Sequence, residues 1–409
     1  MVRRHGRSMM GGVMRRGAMM AGLSTMVTTI VAPMVSAQTQ PAAAPPGAQA
    51  AATARVDLAA AYLRLDKAYL AATTLDDSSR SAINRQFDRS TLSFFAGKFA
   101  AAIAVVDSAT VALTGAPLEP PPVRPARVVN GRGASMLREG ILRRLAKLDT
   151  TGPLAQAMVS ARARAQLLVD VPSPERSAEF QSDVAQLSRD LAREVGVLER
   201  GRNPYVGQAG DAWHMFRGAN GALIPVRIVA PSAAATSSAP VPVLIALHGA
   251  GGDENMFADA YGQGITAKLA NASNVILVTP LTTEFMRTPE HFDSLMAVLH
   301  AEYRVNDGRI YVLGHSMGAG AAAQLAQQRP SIITAVACLS GGSAVTVPKA
   351  PPILFVGAAL DPIIPAARVK AAAKGTPTGT YQQLEHEGHT LMVANGVKVA
   401  LPWLFAHRP

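Results

Sequence analysis

Arg309-Ile310-Tyr311-Val312-Leu313-Gly314-His315-Ser316-Met317-Gly318-Ala319-Gly320-Ala321-Ala322-Ala323 is the stretch on which the reading of this 409-residue chain turns. The apolar run at 309–313 predicts a strand and the alanine-rich run after it a helix, with Gly314 and Gly318 bracketing a serine between them. A strand that passes into a helix within so few residues bends too sharply for side chains at the flanking positions. Glycine is therefore needed at both, and the serine hydroxyl is thrust outward as a nucleophile. A G-x-S-x-G match alone also occurs in ordinary glycine-rich loops; the strand before it and the helix after it favour the nucleophile.

Outward from this turn, apolar runs at 243–247, 275–278, 310–313, 333–339 and 353–356 alternate with helical patterns. Such alternation predicts an α/β fold, a mostly parallel sheet covered by helices. Ahead of it, runs at 213–217 and 223–229 flank Gly218-Ala219-Asn220-Gly221, a hairpin signal.

Three further features accompany Ser316. His248-Gly249-Ala250-Gly251-Gly252 follows one predicted strand, Asp361 follows another, and Gly388-His389 lies near the end. In content and order, residues from about 213 onward resemble the α/β-hydrolase superfamily. Residues 248–257 and 306–320 look most like secreted esterases of the polyhydroxybutyrate-depolymerase, feruloyl-esterase and carboxylesterase groups. The resemblance implies hydrolysis of carboxylic esters through an acyl-enzyme, with Ser316 as nucleophile, His389 as general base and acid, and Asp361 as the acid that orients it. It also implies an oxyanion hole from the N–H groups of Ala250 and Met317, with Gly251 as a further loop donor. Each role has a physical need behind it: a neutral hydroxyl requires a base, the base a fixed tautomer, and the tetrahedral oxyanion preorganised donors.

Competing readings stand beside these. Asp361 precedes Pro362 and could simply shape a turn. His386, between Glu385 and Glu387, rivals His389 and would otherwise join a surface charge cluster. His248 reads as a structural member of its loop, His315 as a packing residue, and Asp253 and Glu254 as a solvated turn. The histidines show no metal-ligand spacing, so no cofactor or metal is expected. Two other functions share these features: a peptidase of the prolyl-oligopeptidase type, whose β-propeller has no counterpart in the sequence before Trp213, and a non-catalytic binding protein.

The first 37 residues combine Arg3, Arg4, Arg7, Arg15 and Arg16 with no acidic residue, a weakly apolar stretch, and Val35-Ser36-Ala37 before Gln38. That is the layout of a secretory signal peptide cleaved after about Ala37, implying export to the periplasm or the medium and no permanent membrane span. A twin-arginine signal at Arg15-Arg16 is the alternative route. Without this segment the formal charge of +11 falls to a surplus of six, 34 basic against 28 acidic residues, with no basic run, so no nucleic-acid partner is expected. Cys338, the only cysteine, excludes an internal disulfide and reads as a buried apolar residue.

Between signal and sheet the chain divides by composition. Residues 38–54 read as a disordered linker and 55–116 as a helical hairpin. In the latter Leu58, Tyr62, Leu65 and Tyr69 face one stripe made by Leu92, Phe95, Phe99, Ile103, Val106 and Leu113. Residues 92–109 resemble half of a tetratricopeptide-type repeat, the alternative being a plain packing element. Residues 117–133 are a Pro/Gly-rich linker, 134–202 a second helical region with solvated carboxylates such as Glu179 and Glu194, and 203–409 the catalytic domain. The expected partners are a small-molecule or polymer ester and, through the helical regions, a protein.

Overall fold

The computed structural model describes residues 46–118, 127–129, 131–149, 151–173 and 176–408. The expected signal peptide, and residues 38–45 of the expected linker, lie outside them. Among the described residues three helices come first: α1 (Pro46–Ala71), α2 (Asp77–Phe95) and α3 (Phe99–Thr114). α1 begins inside the stretch read as a linker, because an alanine-rich composition that offers no apolar face still favours helix. α2 is capped by Asp76, whose carboxylate accepts the Ser79 N–H.

The single stripe predicted across 92–113 is broken. Gly97 takes a left-handed φ of 70°, and the N–H groups of Gly97 and Lys98 return to the carbonyls of Phe94 and Ser93, ending α2. Leu92 and Phe95 are consequently 78% and 58% exposed. The buried set is instead Ala61, Leu65 and Tyr69 of α1, Ile83 and Phe87 of α2, and Val106 and Ala109 of α3, closed by Leu391 from the far end of the chain. Three helices thus stand where the spacing predicts two, and the stretch likened to a tetratricopeptide unit spans a helix end, a turn and part of α3.

A second helical group, α4 (Ala134–Leu145), α5 (Ala155–Ala165) and α6 (Val184–Leu198), has its own core around Leu145, Met158, Leu168, Leu191, Val195 and Tyr205. Glu194, expected on a solvated face, is buried. It pairs with Arg164 at 3.1 Å and accepts the Tyr205 hydroxyl at 2.9 Å. A carboxylate can be buried so fully only when paired and hydrogen-bonded. Glu179 is likewise buried, taking the Ser173 N–H at 2.6 Å.

The central sheet has eight strands: β1 (Gly210–Arg217), β2 (Leu223–Ala230), β3 (Val241–Leu247), β4 (Ile276–Pro280), β5 (Val305–His315), β6 (Ala335–Leu339), β7 (Ile353–Ala358) and β8 (Gly379–Leu384). Their spatial order is β8-β7-β6-β5-β3-β4-β2-β1. Strands β3 to β8 run parallel, while β2 is antiparallel to β4 and β1 to β2. This mixed sheet, flanked by helices and preceded by a helical region, is the α/β-hydrolase architecture; the region expected to be all-helical also holds one short antiparallel pair, Val128–Val129 with Arg132–Gly133.

Every residue of β3, β4, β6 and β7 is buried, as a sheet covered on both faces requires. Alternation sorts the side chains. Val243, Ile245, Leu247, Ile310 and Val312 share one core with Phe292, Leu295, Ala322 and Phe355, while Leu244, Ala246, Tyr311 and Leu313 share the other with Met392, Val397 and Leu401. Burying each such large apolar side chain contributes about 1.5–3 kcal/mol. The edge strand β1 is closed by α5: Ser160 and Gln156 donate to the Met215 carbonyl and Arg164 to that of Trp213. Among the described residues no helix is long and apolar enough to cross a membrane.

Candidate active site

Ser316 stands between β5, which ends at His315, and the helix that begins at Met317. Its φ of 55° and ψ of −117° lie in a region that non-glycine residues rarely occupy, at a cost of about 1–3 kcal/mol. Both flanking glycines are required by close backbone approach. A β-carbon on Gly314 would lie 2.7 Å from the Ala319 nitrogen, and one on Gly318 would lie 2.7 Å from the His248 carbonyl oxygen. The Ser316 N–H is spent on the Leu339 carbonyl of β6, which ties the turn to the neighbouring strand. The half-buried hydroxyl is left facing outward from the carboxyl ends of the strands.

The structure brings Ser316, His389 and Asp361 into one chain of hydrogen bonds. Ser316 Oγ lies 2.9 Å from His389 Nε2, and His389 Nδ1 lies 2.8 Å from Asp361 Oδ2. A carboxylate only accepts, so Nδ1 carries the proton and Nε2 is free to accept the serine's. Asp361 follows β7, and the N–H groups of Ile363 and Ile364 hold its other oxygen at 2.8 and 2.9 Å. Burial works against its charge, yet these donors and His389 together keep its carboxyl below the ordinary range. The turn before Pro362 and the contact with His389 are thus one and the same feature.

His386, the rival, points elsewhere. Its ring meets Ser81 at 3.3 Å and Asp77 at 3.3 Å, both on α2. His248 has both nitrogens occupied, Nδ1 with the Gly249 carbonyl at 2.8 Å and Nε2 with the Thr282 N–H at 2.9 Å, so it secures its loop as expected. Glu254, read as part of a solvated turn, is instead buried and accepts the Trp213 indole N–H at 2.6 Å, its carboxyl pushed up to about 7 by burial. Cys338 is buried and free, its thiol pushed up to about 12 by burial.

The loop 249–251 lies against the serine. A β-carbon on Gly249 would sit 3.2 Å from Ser316 Cβ. Ala250 and Gly251 are exposed at the mouth, and Met317 supplies the first N–H of its helix, a group with no intrahelical acceptor. The three expected oxyanion donors therefore belong to two segments that meet at Ser316.

Several contacts at the site escape sequence reasoning. His315 spans from the Tyr261 hydroxyl, 3.1 Å from Nδ1, to the His389 carbonyl, 2.8 Å from Nε2. The carbonyl only accepts, so Nε2 donates to it and Nδ1 accepts from Tyr261; burial lowers this imidazole to about 3 and keeps it neutral. From the other side, α2 grips the same segment. Asn84 accepts the Gly388 N–H at 2.7 Å and donates to the His386 carbonyl at 3.2 Å, and Asp88 accepts the His389 N–H at 3.0 Å. Tyr69 of α1 donates to Glu387 at 2.9 Å. Further along α2, the Phe94 ring packs on Gly251, where a β-carbon would lie 2.7 Å from Phe94 Cζ. The only signal for these contacts is a scatter of polar residues on helices distant in sequence, which no local motif distinguishes. No group of three or more His, Cys, Asp or Glu side chains able to hold a metal occurs among the described residues.

No family model matches the chain, and no curated protein matches it in sequence. Among solved structures it is similar to a thermostable esterase, at 20% identity and a TM-score of 0.38, over 49% of this chain and 63% of that one, less than two thirds of its length. It is also similar to Est1E from Butyrivibrio proteoclasticus, at 15% identity and a TM-score of 0.39, over 48% of this chain and 100% of the other. A third is an S-formylglutathione hydrolase from Agrobacterium tumefaciens, at 13% identity and a TM-score of 0.41, over 49% and 95% of the two chains.

Proposed function

We propose that this chain is an exported serine hydrolase that cleaves carboxylic esters through an acyl-enzyme. The observation that carries the reading is the Ser316–His389–Asp361 chain, with contacts of 2.9 and 2.8 Å, at the carboxyl ends of the parallel strands. In the acylation step His389 Nε2 takes the Ser316 proton as Oγ bonds to the ester carbonyl carbon. The oxyanion so formed is met by the N–H groups of Met317 and Ala250, with Gly251 beside them. Collapse breaks the bond to the alcohol, which leaves with the proton from His389, and water activated by the same base then releases the acid. Asp361 holds Nδ1–H and stabilises the imidazolium, a role supported by the two N–H donors that keep its carboxylate ionised.

The test is covalent labelling with a fluorophosphonate and turnover of a small ester panel by wild type and Ser316→Ala. Labelling and turnover in wild type, both lost in the variant, are the expected result; an unlabelled, inactive wild type would sink the reading. A peptide hydrolysed much faster than every ester would make it a peptidase instead. Export is tested by fractionation and by sequencing the N-terminus of the mature protein, expected at Gln38.

A further inference from the structure

Asp88 is buried against the base of the site, at 6% exposure, although it lies on α2, 301 residues before the histidine whose N–H it accepts. Only Oδ2 is used in that bond; Oδ1 is buried with no hydrogen-bond partner among the described residues. A half-satisfied buried carboxylate is costly to keep, and an asparagine would accept the same N–H without a charge. The hydrogen bond therefore does not explain the residue. The charged groups that bear on it are His389 and Asp361. Glu387 of the same loop is occupied by Tyr69 and Arg80, and Asp107 of α3 by Arg64.

We infer that Asp88 is a second, remote carboxylate serving His389: a positioning residue that fixes the main chain of the base and whose negative charge favours the imidazolium formed when His389 takes the serine proton. The inference rests on the proposed roles of Ser316 and His389. His389 would then be held by three groups from three parts of the chain. Asp361 orients its ring, His315 holds its carbonyl, and Asp88 holds its N–H. Burial pushes the Asp88 carboxyl up to about 6, partly offset by the His389 N–H and imidazole, so its charge is present at neutral pH and lost in mild acid.

The experiment is the pH dependence of kcat and KM for a p-nitrophenyl ester in the full chain, for wild type and two neutral variants that keep an acceptor, Asp88→Asn and Asp88→Ser. Removing a nearby negative charge makes the imidazole easier to deprotonate, so the acid limb of kcat/KM moves to lower pH by about one unit. At neutral pH kcat falls roughly tenfold while KM stays within about twofold, as expected for an interaction made mainly in the transition state. A purely structural role would lower the amount of folded enzyme and leave the limb in place, and that result overturns the inference. If neither variant folds, the His389 ring signals of wild type decide by NMR. Two inflections, one of them from the charge of Asp88 felt at the imidazole, support the inference, and a single step overturns it. A wild type that takes no fluorophosphonate and turns over no ester removes the reading of the site and the inference with it; an active wild type with an unmoved limb removes the inference alone.

Discussion

The proposed nucleophile and the proposed base of this site are built by opposite strategies. Ser316 is placed by its immediate neighbours: two glycines, the strand before it, the helix after it and one bond to the adjacent strand β6. His389 is placed from afar, by Asn84 and Asp88 of α2 across 304 and 301 residues and by His315 across 74. A nucleophile so constructed announces itself in five consecutive letters. A base so constructed ties the proposed catalysis to helices that share neither sheet nor motif with it.

The sharpest break in the comparison is on the nucleophile's side. Ser316→Ala removes the proposed attacking atom and is expected to lower kcat by about a millionfold, as for a serine that acts as one unit with its base. Gly318→Ala leaves the hydroxyl in place but sets a β-carbon against the Leu247–His248 main chain, which cannot move as a side-chain tip can. It is expected to remove folded enzyme as well as labelling. A folded, fully labelled Gly318→Ala protein would show that the turn is not under the constraint described.

The base side should fail more gently. Asn84→Ala leaves the Gly388 N–H and the His386 carbonyl without their partner, a loss of about 1–3 kcal/mol. The nucleophile is untouched, so Ser316 should remain in place while kcat falls roughly 10- to 100-fold from a misplaced base. Steady-state kinetics beside a thermal melt would check this; unchanged kcat in a destabilised protein would mean that α2 braces the fold and not the base.

Stability and pH separate the two sides further. In the folded chain the Asp88 carboxyl holds its proton up to about 6, against an ordinary carboxylate range in the unfolded chain. The folded state therefore binds the extra proton between these values, and the contribution of Asp88 to stability is lost as pH rises through 6. Asp88→Asn, which cannot ionise, is expected to gain about 2 kcal/mol over wild type on going from pH 4 to pH 8. Denaturant midpoints at the two pH values measure the difference; a constant gap between variant and wild type would show that the carboxyl is not strained by burial.

The same contrast explains what the sequence discloses. The sheet was legible because fully buried parallel strands write themselves as short apolar runs, and the order Ser316, Asp361, His389 because chain order survives folding. The α2–α3 boundary was not. Leu92 and Phe95 carry the helical spacing of a buried stripe, and one left-handed glycine at 97 turns them outward. Asn84 and Asp88 belong to no motif, and nothing local says that a loop 300 residues away will lie upon them. His315 sits beside the nucleophile, but its task concerns the backbone of His389 and appears only when β5 and the base loop are seen together.

The smallest effect is expected where α2 reaches the other side of the site. Phe94, half-buried, lies on Gly251 and is braced by Phe95 and Phe99, with ring centroids 5.2 and 6.0 Å away. It contributes no hydrogen bond to either segment that meets at Ser316, so its removal should leave the chemistry intact and alter only the room above the loop 249–251. For Phe94→Ala we expect the ratio of kcat/KM for a bulky acyl ester over an acetyl ester to rise on the order of tenfold, the scale on which apolar pocket contacts discriminate. An unchanged ratio in a folded variant would confine the influence of α2 to the base. A changed ratio would mean that one helix from outside the sheet touches both halves of the site, steadying His389 at one end and shaping the space beside Ser316 at the other.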